Sequence, residues 1–309
     1  MNFSAVSDLL ISAVRMATPL LFVALAELYS ERAGLVNIGL DGLMAFGSLV
    51  GFLVCFWTGN PFLGVLCGAL GGVLVNMIYA FCTVTLGAQQ IVYGMAINIF
   101  APALASFIYR IVFGVSSTLA QATLMKTVAI PVLKDIPFLG KLLFDQTPMV
   151  YVVYLLVIVT AIYFNRTKSG LNYKAVGEYP KAAETMGINV VLHKYIACMI
   201  CRFLAGMGGA YLTTCYVNTY SDGIVAGRGF IALAAVIFGR WSASGVLLAC
   251  LLFGFFDALQ LRLQVGTDLI PYQLFQMIPY VMTLVALTVF GSRIAGPKAN
   301  GKPYYREER

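Results

Sequence analysis

The sequence predicts an all-α fold, a polytopic transmembrane helical bundle of about 8–10 membrane segments that includes broken or half-length helices. Of its 309 residues, 60% are hydrophobic and only 11% are charged, and the mean hydropathy is +0.87. A soluble globular protein usually carries about 25% charged residues. Apolar runs of about 20 residues recur, and each is long enough to cross a hydrocarbon core of roughly 30 Å as a helix. They are too uniformly apolar for barrel strands, which alternate over about ten residues.

Nine apolar segments divide the chain into candidate membrane helices. They lie at residues 6–28, 35–57, 62–86, 91–113, 148–164, 195–217, 229–239, 244–263 and 271–291. The first begins without a basic stretch and continues to full length, unlike a cleavable signal peptide. We therefore expect residues 1–309 to form a single transmembrane domain.

Basic residues set the expected orientation. Lys and Arg cluster at 166–194 and at 293–309, and the positive-inside rule places both stretches in the cytoplasm. Residues 165–194 are thus predicted to form a cytoplasmic loop and 292–309 a cytoplasmic basic tail, whereas 114–147 is predicted to be an extracytoplasmic loop. This orientation explains the net charge of +7. We expect the basic residues to contact anionic membrane lipid as a secondary role, and we expect no nucleic acid as a partner.

This orientation also predicts a half-length helix. If the loop and the tail are both cytoplasmic, an even number of crossings must separate them, and residues 229–239 have to count as one. Eleven residues make roughly 17 Å of helix, too short to span alone. A half-length helix buried among others satisfies both conditions, since such backbone is tolerated inside protein or around a cavity. Counting back from residue 165 places the N-terminus outside, but one further break would reverse this, so its side stays open.

Small residues predict close helix packing. Gly64, Gly68 and Gly72 recur every four residues on one helix face, and residues 206–210 (GMGGA) form a second such stretch. The seven cysteines lie in or beside apolar segments, and CMIC at 198–201 has no second pair to complete a metal site. We expect the cysteines to be small packing residues and expect no metal site.

Polar residues enter the second apolar segment at residues 31–48. Asn37 and Asp41 lie there among glycines, of which Gly39 and Gly42 are expected to be structural, helix-breaking residues. Each glycine weakens a helix by up to about 1 kcal/mol relative to alanine. Polar groups within a membrane segment usually face a cavity or a partner. The stretch is either a structural kink satisfied by its neighbours or a broken helix that lines a translocation path.

Three uncharged amides, Gln89, Gln90 and Asn98, lie near the start of the fourth segment. Gln90 and Asn98 offer both donors and acceptors, which suits a hydroxyl-bearing or heterocyclic solute. The alternative is that they form hydrogen bonds between helices. The candidates for the translocation path are Asn37, Asp41, Gln90 and Asn98.

Charged residues also enter the apolar stretch at 227–263. Arg228 precedes the short segment, and Asp257 lies inside the next one. Structural ion pairing is the expected role of both residues. Arg202 and Arg262 are the candidate partners of Asp257, and the sequence does not choose between them.

A polar island, GEYPKAAETMGIN at 177–189, stands within the predicted cytoplasmic loop. Pro180 suits the first position of a helix, and Gly187 is a natural helix stop. The helix between them has about two turns and is too short to be stable alone in water. Ala182 and Ala183 allow close approach to a surface. The segment is either a docking element for another protein or an ordinary loop on the membrane surface.

Three stretches resemble one known family. SERAGLVNIGLDGLMAFGSLVG (30–51), AVGEYPKAAETMGINV (175–190) and GRGFIALAAVIFGRWSASGVLLACLLFGFFDALQLRLQ (227–264) are closely similar to the permease subunits of bacterial ABC importers, and together cover about a quarter of the chain. The resemblance is to the branched-chain amino acid and simple-sugar permease family and, within it, to the nucleoside-type branch. That branch usually has Glu where this chain has Asp41, so the charge is kept.

The resemblance implies a non-enzymatic permease subunit in the bacterial plasma (inner) membrane that carries nucleosides or related sugar-containing solutes inward. It implies that residues 165–194 form a coupling loop whose short helix docks on a separate cytoplasmic ATPase; ATP and Mg²⁺ bind there, and no cofactor is expected in this chain. An extracytoplasmic solute-binding protein or lipoprotein and a second permease subunit, related or identical, complete the expected assembly. The implied coupling residues are Gly177, Glu178, Pro180, Lys181, Ala182, Ala183, Glu184 and Gly187.

Alternatives remain at this point. The same machinery would serve ribose-like sugars or branched-chain amino acids. An ion-coupled secondary transporter should show carboxylates deep in its spans, for which only Asp41 and Asp257 are candidates, and internal repeats. A membrane-embedded enzyme is disfavoured because the single His193 lies in the cytoplasmic loop. GPKANGK at 296–302 satisfies the start of a phosphate-binding loop, but Pro303 follows where Ser or Thr is required.

Overall fold

Helices dominate the computed structural model, which describes residues 3–114, 120–129, 144–265 and 296–305 and scattered residues between 274 and 288. They are α1 (Phe3–Arg32), α2 (Leu40–Thr58), α3 (Pro61–Val75), α4 (Met77–Ala80, continued by a π-helical turn at Phe81–Thr85), α5 (Gln90–Phe113), α6 (Pro148–Arg166), α7 (Lys168–Glu178), α8 (Pro180–Thr185), α9 (Val190–Tyr211, continued by a π-helical turn at Leu212–Tyr216), α10 (Arg228–Phe238) and α11 (Ala243–Val265). Two short strands, β1 (Val128–Ala129) and β2 (Asp145–Gln146), pair antiparallel. The predicted all-α membrane bundle is confirmed.

Six helices among the described residues are long and apolar enough to cross a membrane: α1, α2, α5, α6, α9 and α11. Helices α3 and α4 together pass the same test as one span bent by 42°. With the half-length α10, these helices account for eight of the nine predicted segments. The ninth, 271–291, and most of the predicted loop 114–147 lie outside the described residues.

Contacts of α1 define the two ends of the bundle. At one end α1 touches α7, where a Cβ on Gly177 would lie 2.2 Å from the Arg32 carbonyl oxygen. We call this the lower end. At the opposite, upper end, Arg262 near the close of α11 lies 3.9 Å from Asp8 near the start of α1. The start of α1 and the loop 167–189 are therefore on opposite sides of the bundle.

Glycine faces bring α2, α3 and α9 together, as the small-residue pattern predicts. A Cβ on Gly68 would lie 2.6 Å from the Gly47 carbonyl oxygen, and one on Gly72 would lie 2.6 Å from that of Arg202. The third glycine of this face, Gly64, approaches the backbone of α2 in the same way. Since a side chain cannot fit at such distances from another backbone, only glycine allows these helices to approach so closely. The predicted glycine packing face on α3 is confirmed.

The half-length helix α10 runs through the interior of the bundle. Its 11 residues begin beside α2, where the Gly229 N–H donates to Asp41 Oδ1 at 3.0 Å. They end near the lower end, where the Trp241 indole N–H donates to Glu31. The chain reaches the start of α10 through the irregular residues 217–227. The irregular segment and the half-length helix together run from the upper part of the bundle to its lower end, and the crossing that parity predicts stays a prediction.

A polar contact holds residues 217–227 against the upper part of α5. Ser106 Oγ and Arg110 Nη2 donate to the two carboxylate oxygens of Asp222, at 2.5 and 3.1 Å. The Ser106 hydroxyl, and after it Arg110, hold the pKa of the Asp222 carboxyl below its usual range. The side chains of Arg110 and Asp222 are 63% and 54% exposed, so water screens the pair and its contribution to stability is small.

Gly209 of α9 gives a test of the glycine packing. A Cβ there would lie 2.0 Å from the Met44 carbonyl oxygen, so Gly209→Ala should destabilise the protein by about 1–3 kcal/mol, despite the better helix propensity of alanine. The matched control is Gly71→Ala, whose Cβ would meet the side chain of Val50, which can shift. Thermal unfolding in detergent should show a lower midpoint for Gly209→Ala than for Gly71→Ala, and equal midpoints would contradict the packing.

Candidate translocation and coupling sites

A buried break separates α1 from α2. Residues 33–39, which we call the break, are not helical, and five of the seven are buried. Asn37 has no exposed surface at all. Backbone N–H and C=O groups that are buried at membrane depth need hydrogen-bond partners, and a segment buried in protein obtains them from neighbouring helices. The helix interruption predicted within residues 31–48 lies here.

Side chains of α1, α4 and α5 supply those partners. Glu27 Oε1 accepts the Asn37 N–H at 2.9 Å, and Gln90 Oε1 accepts the Val36 N–H at 2.8 Å. Tyr79 Oη donates to the Val36 carbonyl oxygen at 2.7 Å. Glu27, Tyr79 and Gln90 are all buried, and in such low-dielectric surroundings a hydrogen bond is electrostatically stronger than in water. The break is thereby joined to three helices.

Asn98 of α5 holds the end of the break. Its Nδ2 donates to the Ile38 carbonyl oxygen at 2.7 Å, while its Oδ1 accepts the Gly42 N–H at 2.8 Å. Asn37 Oδ1 accepts the Gly39 N–H at 3.1 Å. This approach of α5 requires glycine, because a Cβ on Gly42 would lie 2.5 Å from a carbonyl oxygen of α5.

The structure thus brings three of the four predicted path residues to one place. Asn37, Gln90 and Asn98 each use a side-chain oxygen to hold backbone N–H groups of the break or of the first turn of α2. Gln90 Nε2 has no hydrogen-bond partner within the described ranges. Hydrogen bonds within the protein therefore satisfy some, but not all, of the donors and acceptors of these amides.

A further buried polar group lies on the other side of Tyr79. The Arg202 guanidinium stacks on the Tyr79 ring, 4.4 Å from its centroid, and Arg202 Nη1 donates to the Cys198 carbonyl oxygen at 3.1 Å. In the part of the chain that the structure describes, Arg202 Nε and Nη2 and both amide atoms of Asn76 have no hydrogen-bond partner. Sequence reasoning missed Glu27 and Asn76. The signal that could have found them is a polar side chain inside an apolar run.

Asp41, the fourth predicted path residue, belongs to a charged group around Arg228. Asp41 Oδ1 accepts the Gly229 N–H at the start of α10. The Arg228 guanidinium is near enough to attract the carboxylates of both Asp41 and Asp257 electrostatically, while its hydrogen bonds go to the carbonyl oxygens of Ile224 and Val225. One arginine at the start of α10 therefore lies within electrostatic range of carboxylates on α2 and α11.

Among the salt bridges of the described residues, neither predicted partner is paired with Asp257. Arg202 stacks on an aromatic ring of α4, and Arg262 lies beside Asp8 of α1. Arg228 acts on Asp257 instead. The reason is topological: α10 begins inside the bundle, which brings its first residue within electrostatic range of Asp257, a placement that spacing along the chain does not reveal.

Helix α8 has the start and stop that its sequence predicts. Pro180 occupies its first position, and Gly187 has φ +81°, the left-handed conformation that favours glycine. The Gly187 N–H donates to the Glu184 carbonyl oxygen at 2.9 Å, and the Ile188 N–H donates to that of Ala183 at 3.0 Å. These two bonds form a Schellman motif, and Ile188 and Ala183 belong to one apolar cluster, as is usual for this motif.

One face of α8 points outward and the other inward. Lys181, Ala182 and Thr185 are exposed, as is Met186 just after the helix, by 81%. Ala183 is buried, 3% exposed, in an apolar cluster with residues of α7 and α9. Of the two alanines expected to approach a partner, only Ala182 is accessible.

The remaining predicted coupling residues attach α8 to the rest of the protein. Gly177 is buried against the Arg32 carbonyl of α1. The carboxylates of Glu178 and Glu184 accept hydrogen bonds from the C-terminal residues 296–305. The exposed face of α8 is therefore presented on a base that is fixed from several sides.

Comparison with known proteins assigns this architecture. Residues 9–287 match the family described as "Branched-chain amino acid transport system / permease component". The chain belongs to this family. It is a multi-pass membrane transport subunit, in agreement with its apolar helices.

Relatives of this permease share nearly its whole length. It is 36% identical over 307 residues to the nucleoside ABC transporter permease protein NupC of Lactococcus lactis, covering 94% of this chain and 95% of the relative. It is 38% identical over 309 residues to the guanosine ABC transporter permease protein NupQ of Bacillus subtilis, covering 95% of each. It is 33% identical over 335 residues to the putative glucose ABC transporter permease protein TsgC13 of Haloferax volcanii, covering 99% of each.

Two of these organisms have a second, more distant matching permease with the same kind of name. The nucleoside ABC transporter permease protein NupB of L. lactis is 24% identical over 249 residues, covering 76% of this chain and 67% of the relative. The guanosine ABC transporter permease protein NupP of B. subtilis is 23% identical over 306 residues, covering 94% of this chain and 84% of the relative. No solved structure matches the permease.

Asn98 tests how the break is held. Asn98→Ala removes the donor for the Ile38 carbonyl and the acceptor for the Gly42 N–H, and we expect a loss of about 1–3 kcal/mol in the free energy of unfolding. The matched control is Asn172→Ala, at an exposed position of α7, where little change is expected. Denaturant or thermal unfolding in detergent measures both; an Asn98→Ala protein as stable as the control would show that the break does not depend on this amide.

Proposed function

We propose that this chain is one permease subunit of an ATP-driven importer that carries nucleosides, or related sugar-containing solutes, inward. The observation that supports it most is the identity of 36% and 38%, across nearly the whole chain, to permeases named for nucleoside and guanosine transport. The relative named for glucose, at 33%, is the basis of the second candidate, a simple sugar. Nucleosides contain such a sugar, so the two candidates differ in whether a base must also be accommodated.

Polar side chains around the break support a solute path there. Gln90 and Asn98 present amides close to the break, and Asn76 and Arg202 add buried polar atoms without protein partners in the described residues. Amides and a guanidinium suit the hydroxyl and ring-nitrogen groups of a nucleoside, because they offer donors and acceptors in an otherwise apolar interior. Asp41, whose Oδ1 accepts the Gly229 N–H, adds a polar boundary at the first turn of α2.

The permease is proposed to lie in the bacterial plasma membrane with its lower end in the cytoplasm. The positive-inside rule supports this orientation, since the lower end carries the basic loop 166–194 and the described part of the basic tail. The start of α1 and the contact between Ser106 and Asp222 would then face outward. An extracytoplasmic binding protein would deliver the solute to that side.

Helix α8 is proposed to be the coupling helix. Its exposed residues Lys181, Ala182 and Thr185, with Met186 just beyond them, suit a groove on a cytoplasmic ATPase, which would bind ATP and Mg²⁺ itself. The buried residues Gly177 and Ala183 would act by holding the helix in place. Nucleotide binding would favour one of two arrangements of the permease through this contact.

A second, non-identical permease is proposed to complete the membrane part. L. lactis and B. subtilis each have two permeases with matching names, and this chain is more similar to one of each pair, at 36% and 38%, than to the other, at 24% and 23%. A pair of related chains is the simplest assembly that accounts for this pattern. Co-expression with each candidate second permease would show which combination forms a stable complex.

Solute specificity is testable in proteoliposomes. The complex of this permease, its partner permease, the ATPase and the binding protein should take up labelled guanosine when ATP is enclosed with the ATPase, and an ionophore should not stop it. Excess unlabelled uridine or adenosine should compete, whereas excess glucose should not. Competition by glucose alone would favour the sugar candidate, and loss of uptake with the ionophore would favour an ion-coupled transporter.

Docking of α8 is testable with one exposed alanine. Ala182→Arg places a long cation on the exposed face, and we expect co-purification of the ATPase and ATP-driven uptake to fall about tenfold, which is roughly 1.4 kcal/mol of binding. Unfolding of the isolated permease should not change. Asn172→Arg, on an exposed part of α7, is the matched control. Normal ATPase recovery with Ala182→Arg would show that this face does not dock.

A further inference from the structure

The C-terminal residues 296–305 pack against the lower end of the bundle, and we call them the strap. They include the stretch GPKANGK, which here forms a turn with Gly301 at φ +73°. Ala299 in that turn is 8% exposed. A basic, polar tail that served only to meet lipid headgroups would have no reason to be buried in this way.

Ala299 lies between the coupling loop and the break. Its N–H donates to the Gly177 carbonyl oxygen of α7 at 3.0 Å. On its other side, a Cβ on Gly34 would lie 3.2 Å from the Ala299 carbonyl oxygen. Gly34 is the second residue of the break and has φ +77°. A single residue of the strap therefore contacts both the loop that precedes α8 and the break that joins α1 to α2.

Lys298 and Tyr304 attach the strap to both ends of α8. The Lys298 N–H donates to Glu178 Oε2 at 3.4 Å, and its ammonium donates to the Tyr179 hydroxyl. The Tyr304 hydroxyl donates to Glu184 Oε2, and its ring packs on the apolar cluster formed by α7, α8 and α9. Because α8 has only six residues and is unstable alone, these contacts help to fix its position.

Two more turns of the lower end meet the strap. Tyr305 donates to the Gly87 carbonyl oxygen at 3.3 Å, in the turn before α5. Gly296 lies against the Trp241 ring, in the turn before α11. A Cβ on Gly296 would lie 2.8 Å from a carbon atom of that ring. The strap thus touches the coupling loop, the break and the turns that precede two membrane helices.

We propose that the strap is a positioning element, which ties the coupling helix to the break so that movement of α8 is passed to the spans. This inference rests on the coupling role proposed for α8. Close-packed contacts resist deformation and transmit displacement, whereas a loosely held α8 would move with the ATPase and leave α1 and α2 behind. Lys298 and Tyr304 are the positioning residues, because each bonds to a residue that flanks or belongs to α8.

The test uses the complete complex in proteoliposomes and compares Lys298→Ala and Tyr304→Ala with Lys302→Ala. Lys302 is an exposed residue of the same strap, so its removal takes away the same charge without the contact to Tyr179. The readout is the ratio of ATP hydrolysed to guanosine taken up. We expect Lys298→Ala and Tyr304→Ala to raise this ratio about threefold or more. Lys302→Ala should leave it unchanged, and Tyr304→Phe, which keeps the ring, should have an intermediate effect.

Each other outcome overturns the proposal. Equal effects of the two lysine variants would mean that the tail acts through its charge. A proportional fall of uptake and hydrolysis, with an unchanged ratio, would mean that the strap only stabilises the fold. Unchanged ratios in all variants would mean that it has no role in coupling.

A second readout does not require transport and separates this proposal from the proposed function. Trypsin should cut after Lys181 faster in Lys298→Ala and Tyr304→Ala than in the wild type or Lys302→Ala, because α8 opens more often when the strap releases it. Equal cleavage rates would show that the strap does not hold α8. Failure of the proposed solute would be seen instead as a wild-type complex without ATP-driven guanosine uptake.

Discussion

The break between α1 and α2 depends on one constraint: a non-helical segment that is buried in a membrane bundle needs partners for its backbone hydrogen-bonding groups. Glu27, Tyr79, Gln90 and Asn98 meet this need with carboxylate, hydroxyl and amide groups. Each removed partner would leave a buried group unsatisfied, at about 1–3 kcal/mol. Because the four side chains come from α1, α4 and α5, the constraint that keeps the break in place also fixes how these helices pack.

The start of α2 is held from two sides, which connects the proposed path to the proposed coupling loop. On one side the amide of Asn98 binds its first turn, and on the other Asp41 binds the start of α10, beside Arg228. The break also reaches the lower end, where Gly177 packs on the last turn of α1 and Ala299 packs on Gly34. If the loop couples as proposed, its displacement would act through these two contacts on the end of α1 and on the break.

Local signals in the sequence predicted local structure well. Pro180 and Gly187 mark the ends of α8 because their backbone preferences act without help from distant residues. The glycines of α3 predicted close packing because their spacing of four residues places them on one helix face. Contacts between distant segments were not predictable in this way. Asp257 comes within electrostatic range of Arg228 because of how α10 enters the bundle, and the Tyr304 hydroxyl binds Glu184, 120 residues away in the sequence. The sequence identified Asn37, Gln90 and Asn98 as candidate path residues. It did not show that all three bind the backbone of the break or of the start of α2, because that depends on how α5 packs against these segments.

Hydrogen–deuterium exchange of residues 33–42 in the intact permease tests the buried break most directly. The amides of Val36, Asn37 and Gly39 are bonded to buried side-chain oxygens, so they should exchange as slowly as amides within α2, even though they belong to no helix. The exposed residues 221–223 provide the reference for an open turn in the same protein. Exchange of the break as fast as that of residues 221–223 would contradict the account, because it would mean that water, and not these side chains, satisfies its backbone.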